Sequence, residues 1–337
     1  MSDAIAVVVV THNSAAVLEP LVRSLQAQLR AHDELVIIDN ASTDDTLAQA
    51  RRLGERARVI EAGANDGFAA GCRLGAQASA APLIFLLNPD TVLADGALER
   101  LAAVGASHPG WAAWQPAVML SDGRINSAGG VVHYLGIGWA GRCGAQAGTL
   151  AALPYETAFP SGAALVVRRE DWLALDGLRD DYFLYGEDLD LGLRLWLSGR
   201  GVGVEPRARV IHDYVFEKGP QKWYLLERNR WRTLLATYPL ALLAALAPAL
   251  AAGELGILLI AARDGWLSEK LRAQLATVAG LPRTLERRRA VSLTRRIGSA
   301  AFAAQLTGEL DNPNLALPRA VAIVSRLYWR IARRLLH

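Results

Sequence analysis

Cysteine is nearly missing from this 337-residue chain: Cys72 and Cys143 are the only two. Two thiols build neither a disulfide framework nor a metal-thiolate cluster, and the count fits a reducing compartment. The opening stretch MSDAIAVVVV has no basic flank and no cleavage site, so it does not read as a secretory signal. No loop follows GxxxxGK[ST] or GxGxxG, which argues against a P-loop nucleoside triphosphatase and a standard dinucleotide fold. That leaves a nucleotide held by side chains and a metal. No internal repeat is present, and no low-complexity tract beyond richness in Ala and Leu.

What is abundant is apolar. The chain is 52% hydrophobic and 20% charged, the profile of a globular protein with an apolar excess. Its length suits one large or two ordinary domains. The net charge of +3 is unevenly spread: residues 1–206 carry 15 Lys+Arg against 24 Asp+Glu, residues 207–337 carry 21 against 9. A basic, apolar C-terminal third behind an acidic front points to attraction towards an anionic surface.

The front reads as alternating strands and helices. Ile5–Val10 is a β-branched run, read as a buried strand. Val17, Leu18, Leu21, Val22, Leu25 and Leu29 follow at helical spacing. Glu34–Ile38 and Arg58–Ala62 are further strands, and a helix over Ala69–Ala80 leads to the strand Leu83–Leu87. Such βαβ units build a parallel sheet, and at least three strands end in polar loops on one edge, where ligands bind in open α/β sheets.

Two stretches carry chemistry. Leu83–Leu87 ends abruptly in Asn88-Pro89-Asp90-Thr91, where Pro89 stops the ladder for want of an N–H. Asp90 there suits a hard cation such as Mg²⁺ or Mn²⁺ bridging phosphates. Asp39, at the end of the second strand, is placed to accept from a base N–H. A turn and a helix N-cap explain either residue more plainly. The second stretch, 177–195, holds Glu187, Asp188 and Asp190 within four residues. In the first turn of a helix, Asp188 is kept ionised by the dipole and free amides, ready to take a proton from a hydroxyl; capping is its alternative. His212 follows the β-like Ala208–Ile211 and is either a metal ligand or a structural histidine. Gly162, in PSGAA, lets a sugar or phosphate approach the backbone closely. The Gly-rich segment Ser121–Leu153 reads as an acceptor-side wall or an ordinary surface excursion.

The motifs VVVVTHNS, ELVIIDNASTDDT, NDGFAAG, LLNPDT, FPSGAALVVRR and DDYFLYGEDLDLGLRLWLSG, with His212 after a strand, occur in the same order in glycosyltransferase family 2. The chain resembles that family over about residues 4–235, and its bacterial rhamnosyltransferase-type branch most. The resemblance implies a GT-A fold, an α/β architecture with a mostly parallel central sheet flanked by helices. It implies inverting transfer from a nucleotide-diphosphate sugar with Mg²⁺ or Mn²⁺. By that resemblance Asp39 contacts the base, and Thr11, Asn13, Asn65, Gly67 and Asn88 line the nucleotide-sugar site. Asn88-Pro89-Asp90 stands where the family keeps DxD, so ligation rests on Asp90. His212 helps hold the metal or diphosphate, Asp188 is the general base, and Glu187 and Gly162 support it. Arg73 stands where relatives usually carry Asn, with a phosphate contact as its reading; Arg228 lies in YLLERNR, which also resembles the family.

These readings divide the chain into a catalytic domain at 1–220 (donor half 1–100, acceptor half 101–220) and a helical region at 221–337. From Leu234 to Ala262 only Glu254 is charged, with Pro239 and Pro248 inside. A glutamate near mid-bilayer is costly, so two interfacial helices broken at Pro248 are predicted, with a soluble helical lid as the alternative. Val321–Leu336 reads as a basic amphipathic helix. The expectation is peripheral attachment to the cytoplasmic face of the inner membrane, or a cytoplasmic location, and a lipid-linked saccharide acceptor. TDP-rhamnose is the favoured donor. A nucleotidyltransferase wants a basic Gly-rich loop after the first strand, which Thr11-His12-Asn13 is not. Nucleic-acid binding is disfavoured by an acidic front and by arginines set among Ala/Leu runs rather than exposed aromatics. A catalytically dead sugar-nucleotide-binding module is disfavoured by the retained Asp90, Asp188 and His212.

Overall fold

The computed structural model describes residues 3–53, 56–213, 219–311 and 319–336; Met1 and Ser2 of the opening stretch lie outside them. The β-branched run becomes β1 (Ile5–Thr11), buried along its whole length. It is followed by α1 (Ala15–Gln26), β2 (Glu34–Asp39), α2 (Thr46–Leu53), β3 (Ala57–Glu61), α3 (Phe68–Gln77) and β4 (Leu83–Leu87). A short β5 (Thr91–Leu93), α4 (Ala97–Ser107), β6 (Trp111–Met119) and β7 (Ile125–Ser127) come next. The Gly-rich segment, which holds β7, also contributes β8 (Gly130–Val132) and β9 (Gly138–Ala140), and β10 (Tyr155–Glu156) follows it. The chain continues through β11 (Ala164–Arg168), α5 (Arg169–Ala174), α6 (Glu187–Leu197) and β12 (Gly201–His212).

One ten-stranded sheet runs β10-β12-β6-β11-β4-β1-β2-β3, with β5 added to β12 and β7 to β6. It is mixed. β3, β2, β1 and β4 are mutually parallel, as crossover helices require. β11 enters antiparallel between β4 and β6, and β12 runs parallel to β6. The N-terminal part of the chain therefore supplies the parallel part of the sheet. Its core joins Ile5, Val7 and Val9 to Leu18, Leu21 and Leu25 of α1. Strands buried on both faces read as unbroken apolar runs, which is why β1 and β4 were visible in the sequence. β12 starts well before the expected Ala208–Ile211. Pro206 is accommodated within it at a register irregularity between Glu205 and Arg209.

The chain divides into two compact units. The first comprises Met1–Gly130, Ala140–Leu195 and Arg200–Tyr214; the second comprises Val131–Trp139, Trp196–Gly199 and Val215–His337. The second unit is helical: α7 (Pro220–Thr237), α8 (Leu240–Arg263), α9 (Leu267–Ala279), α10 (Leu281–Thr294), α11 (Ser299–Ala303) and α12 (Arg319–Arg334).

The break expected at Pro248 does not occur. α8 runs unbroken from Leu240 to Arg263, and Pro239 instead marks its start. Pro248 is exposed, while Leu242, Leu246 and Leu250 are buried on the other side. A proline costs its own N–H bond and crowds one carbonyl. A packed leucine stripe at i, i+4, i+8 holds the helix through that loss. Glu254 is not a stray charge either. Its carboxylate takes hydrogen bonds from Arg230 (2.6 Å), Trp231 Nε1 (3.2 Å) and Gln274 (2.7 Å), and Lys270 pairs with both Glu254 and Glu227. Lys270 is fully buried, so this network is the polar core of the helical unit.

Candidate active site

Every strand edge that the sequence marked as chemical lies in the first unit. Thr11 ends β1, and its hydroxyl donates to Ile38 O (3.1 Å) and Asp39 Oδ1 (3.4 Å). Asp39, almost fully buried at the end of β2, also takes the Ser42 amide on Oδ2 (3.1 Å). Asn13 sits in the left-handed region at φ 51°. Its side-chain oxygen accepts from the Thr43 amide (2.8 Å), which ties the first loop to the second. Asn40 Nδ2 then donates to Gly67 O (3.0 Å), and Gly67 N–H donates to Asn65 Oδ1 (3.2 Å). Thr11, Asn13, Asp39, Asn65 and Gly67 thus form one hydrogen-bonded rim.

Gly67 has φ 90°, and a Cβ there would lie 2.4 Å from Phe183 O. Only glycine permits that approach. The contact is used: Phe68 N–H donates to Phe183 O (2.8 Å). Phe183 and Tyr185 themselves carry positive φ values of 63° and 69°. Non-glycine residues in this region store strain and cluster where a loop is held for function. The strained loop delivers the chain into α6.

Asp188 lies in the first turn of α6. Its Oδ2 accepts from Gly162 N–H (2.8 Å), and its Oδ1 accepts from Leu189 N–H (2.7 Å). A Cβ on Gly162 would lie 3.2 Å from Asp188 Oδ2, so a small residue fits this seat. At the next residue of the same turn, Asn88 N–H donates to Ala163 O (2.9 Å). The 161–163 turn therefore clamps the strand-end motif on one side and the α6 carboxylate on the other. Burial raises the pKa of both Glu187 and Asp188, Glu187 to about 8 with the Asp188 charge adding to the effect. Glu187 Oε2 is buried with no hydrogen-bond partner among the described residues. Asp188 instead has amide donors that favour its charged form. Burial and the Asp188 charge thus favour the neutral form of Glu187, while amide donors favour the charged form of Asp188.

Asp90 and His212 also meet. β5 pairs antiparallel with β12, setting His212 opposite Thr91. His212 Nε2 then lies 3.2 Å from Asp90 Oδ1. Asn126 Nδ2 donates to His212 O (2.7 Å), and the Thr91 hydroxyl donates to Asn88 O (2.7 Å). A carboxylate oxygen and an imidazole nitrogen suit Mn²⁺, and Mg²⁺ through the oxygen. Adjacent corners of an octahedron with bonds of about 2.1 Å are about 3 Å apart. The pair therefore fits a divalent ion. Among the described residues no three His, Cys, Asp or Glu side chains gather to hold a metal.

Three sequence-marked residues lie elsewhere. Arg73 is committed to the loop after α5, donating to the Asp176 and Leu178 carbonyls and to Asp176 Oδ1 (2.9 Å). That geometry gives it a loop-holding job rather than a phosphate contact. Asp190 is fully buried and paired with Arg194 (2.6 Å) and Arg179 (3.3 Å), a structural triad. Arg228 belongs to the helical unit, where its guanidinium lies over the Tyr224 ring and bonds Asn229. Sequence reasoning missed Gln115, whose Oε1 takes the Ser161 amide (2.7 Å) and so shapes the clamp. A lone glutamine inside an apolar strand, Trp111–Met119, was its only signal. It also missed Phe183, which nothing local marks as strained.

The chain is similar to known proteins in sequence and in fold. Residues 6–110 match the profile of glycosyl transferase family 2, and residues 83–261, more than half of the chain, match that of glycosyl transferase family group 2. Among curated proteins, the chain is 28% identical over 242 residues to the N-acetylglucosaminyl-diphospho-decaprenol L-rhamnosyltransferase of Mycobacterium tuberculosis, covering 65% of this chain and 79% of the relative. Among solved structures it resembles GalNAc-T7 bound to UDP, GalNAc and Mn²⁺, at TM-score 0.58 and 18% identity, over 70% of this chain and 48% of that one. It also resembles S. aureus TarS 1-349, at TM-score 0.52 and 14% identity, over 98% of this chain and 90% of that one. At such identities these structural likenesses speak for the fold alone.

Proposed function

The chain belongs to glycosyl transferase family 2 and is a glycosyltransferase, and from that premise we propose that it transfers a sugar, with inversion, from a nucleotide-diphosphate donor to a lipid-linked saccharide in cell-envelope glycan synthesis. The observation that carries the reading is the clamp: a single turn, 161–163, bonds both Asn88 of the metal-side motif and Asp188 of α6. That joins a diphosphate-binding edge to a hydroxyl-activating carboxylate.

The residues divide the work. Asp39 accepts from the base, and the loops of Thr11, Asn13, Asn65 and Gly67 enclose the nucleotide. Asp90 and His212 would hold a divalent ion, Mg²⁺ or Mn²⁺, which supplies positive charge to the departing diphosphate. Asp188 takes the proton of the acceptor hydroxyl. The acceptor oxygen then bonds the anomeric carbon as the bond to the diphosphate breaks on the opposite face, and the nucleoside diphosphate leaves. A protonated Glu187 keeps a second negative charge away from Asp188 and leaves Asp188 free to act as the base.

The likeness to the mycobacterial rhamnosyltransferase favours TDP-rhamnose as donor and a polyprenyl-diphosphate-linked acceptor at the cytoplasmic face of the membrane. A thermal-shift series tests this. The protein is heated with Mn²⁺ or Mg²⁺ and, in turn, TDP-rhamnose, UDP-GlcNAc, UDP-galactose and GDP-mannose. A ligand that binds only the folded state raises the melting temperature. A metal-dependent rise with TDP-rhamnose is expected. A folded sample that responds to none of the four would overturn the donor assignment.

A further inference from the structure

α12 has three faces. Ser325, Trp329 and Ala332 pack inward: Ser325 Oγ meets His133 Nε2 (3.1 Å) and Tyr134 Oη (3.0 Å), and Trp329 stacks on Tyr134. Arg326, Arg330 and Arg333 form a second stripe, all exposed. Val324, Leu327 and Ile331 form the third, 65%, 52% and 61% exposed. No acidic residue occurs between Arg319 and Leu336. α12 is joined to α8 by the Tyr328 hydroxyl, which donates to Ala245 O (2.6 Å).

α8 also shows apolar side chains to solvent, with Leu240, Leu255 and Leu259 exposed. Among the described residues it is the one helix long and apolar enough to cross a membrane. At about 1.5 Å per residue its 24 residues reach about 36 Å, against a hydrocarbon core of about 30 Å. Crossing is opposed by its partners. Glu254 is bonded to Arg230 of α7 and paired with Lys270 of α9, so a spanning α8 would carry those charges into hydrocarbon.

We propose that α8 and α12 form an in-plane docking surface for an anionic lipid leaflet, with the apolar side chains of both helices entering the headgroup boundary and the α12 arginines meeting lipid phosphates. A wide apolar stripe beside a stripe of arginines, of which Arg326 lies 3.7 Å from Glu309, is the pattern of interfacial helices. α12, at 16 residues, is about 24 Å long and too short to span. A second copy of the chain is the poorer occupant, because it would bring a like-charged arginine stripe to the contact. The surface belongs to the helical unit alone and is tested with neither donor nor acceptor present, so its failure would leave the transfer reading intact.

The experiment is vesicle co-sedimentation of the full chain. Binding is expected to phosphatidylcholine vesicles containing phosphatidylglycerol, to weaken with added salt, and to be faint with phosphatidylcholine alone. The exposed double variants Val324→Glu/Ile331→Glu and Arg330→Glu/Arg333→Glu should each weaken binding at least about tenfold with unchanged melting temperatures. Equal binding by wild type and variants would overturn the surface. So would a wild-type dimer in analytical ultracentrifugation that Val324→Glu/Ile331→Glu turns to monomer. Native membranes washed with alkaline carbonate should release the protein; retention in the pellet would mean that α8 spans.

Discussion

His212 Nε2 stands 3.2 Å from Asp90 Oδ1, although the two residues lie far apart in the sequence. The antiparallel pairing of β5 with β12 makes the meeting, and it sets the first expectation. His212→Ala should weaken Mn²⁺ binding at least about tenfold, the loss seen even when outer-shell partners of a metal are removed. Metal-free nucleotide binding should be unchanged. Isothermal calorimetry with Mn²⁺ and a nucleoside diphosphate separates the two. A variant that binds Mn²⁺ like wild type would remove His212 from the metal site.

Asp188→Asn keeps the size of the side chain and one of its two amide contacts while removing the base. Turnover should fall about a hundredfold or more, within the range of general-base contributions. Donor affinity, measured by calorimetry, should stay within about threefold of wild type. Lost donor binding would mean that Asp188 serves the fold of the 161–163 clamp instead.

Glu187 gives the protein a pH signature. Burial raises its carboxyl from 4.5 to about 8, so the folded state holds a proton that the unfolded chain has released. That contribution to stability is whole below about pH 4.5 and is lost as pH rises towards 8. Glu187→Gln mimics the protonated form. Its melting temperature should fall less than that of wild type between pH 5 and pH 8. Parallel curves for the two proteins would show that Glu187 is ionised throughout.

Lys270 should be costly to remove. Lys270→Met leaves Glu227 and Glu254 with one shared buried cation, Arg230. Breaking a buried charge network from one side costs about 3–5 kcal/mol. Urea unfolding followed by tryptophan fluorescence should show the lower midpoint, and an unchanged midpoint would mean that water already reaches the network.

Much of the first unit was legible because its chemistry sits where strands end. β1, β2 and β4 are built on apolar runs; Thr11 and Asp39 end the first two, and Asp90 comes after Asn88 and Pro89 beyond the third. Asp188 was legible because a carboxylate in a first turn is a local pattern. Gln115, Phe183 and the Arg73–Asp176 contact were not, because each gains its role from a partner far along the chain. The unbroken α8 was hidden for a related reason. Pro248 carries a strong local signal to stop, and the buried Leu242, Leu246 and Leu250 that override it matter only once the neighbouring helices are in place. Asp190 looked like one more acid in a catalytic cluster until Arg179 and Arg194 were seen to enclose it.

The register of β5 on β12 has one more consequence. Thr91 faces His212, Val92 faces Ile211 and Leu93 faces Val210. Side chains alternate between faces along a strand, so a slip of a single residue would turn the imidazole to the opposite side. The Asp90–His212 pair is thus an alignment mark for β5 on β12. A one-residue insertion between Pro206 and His212 would leave the nucleotide rim of Thr11, Asp39 and Gly67 intact, yet separate the histidine from its aspartate.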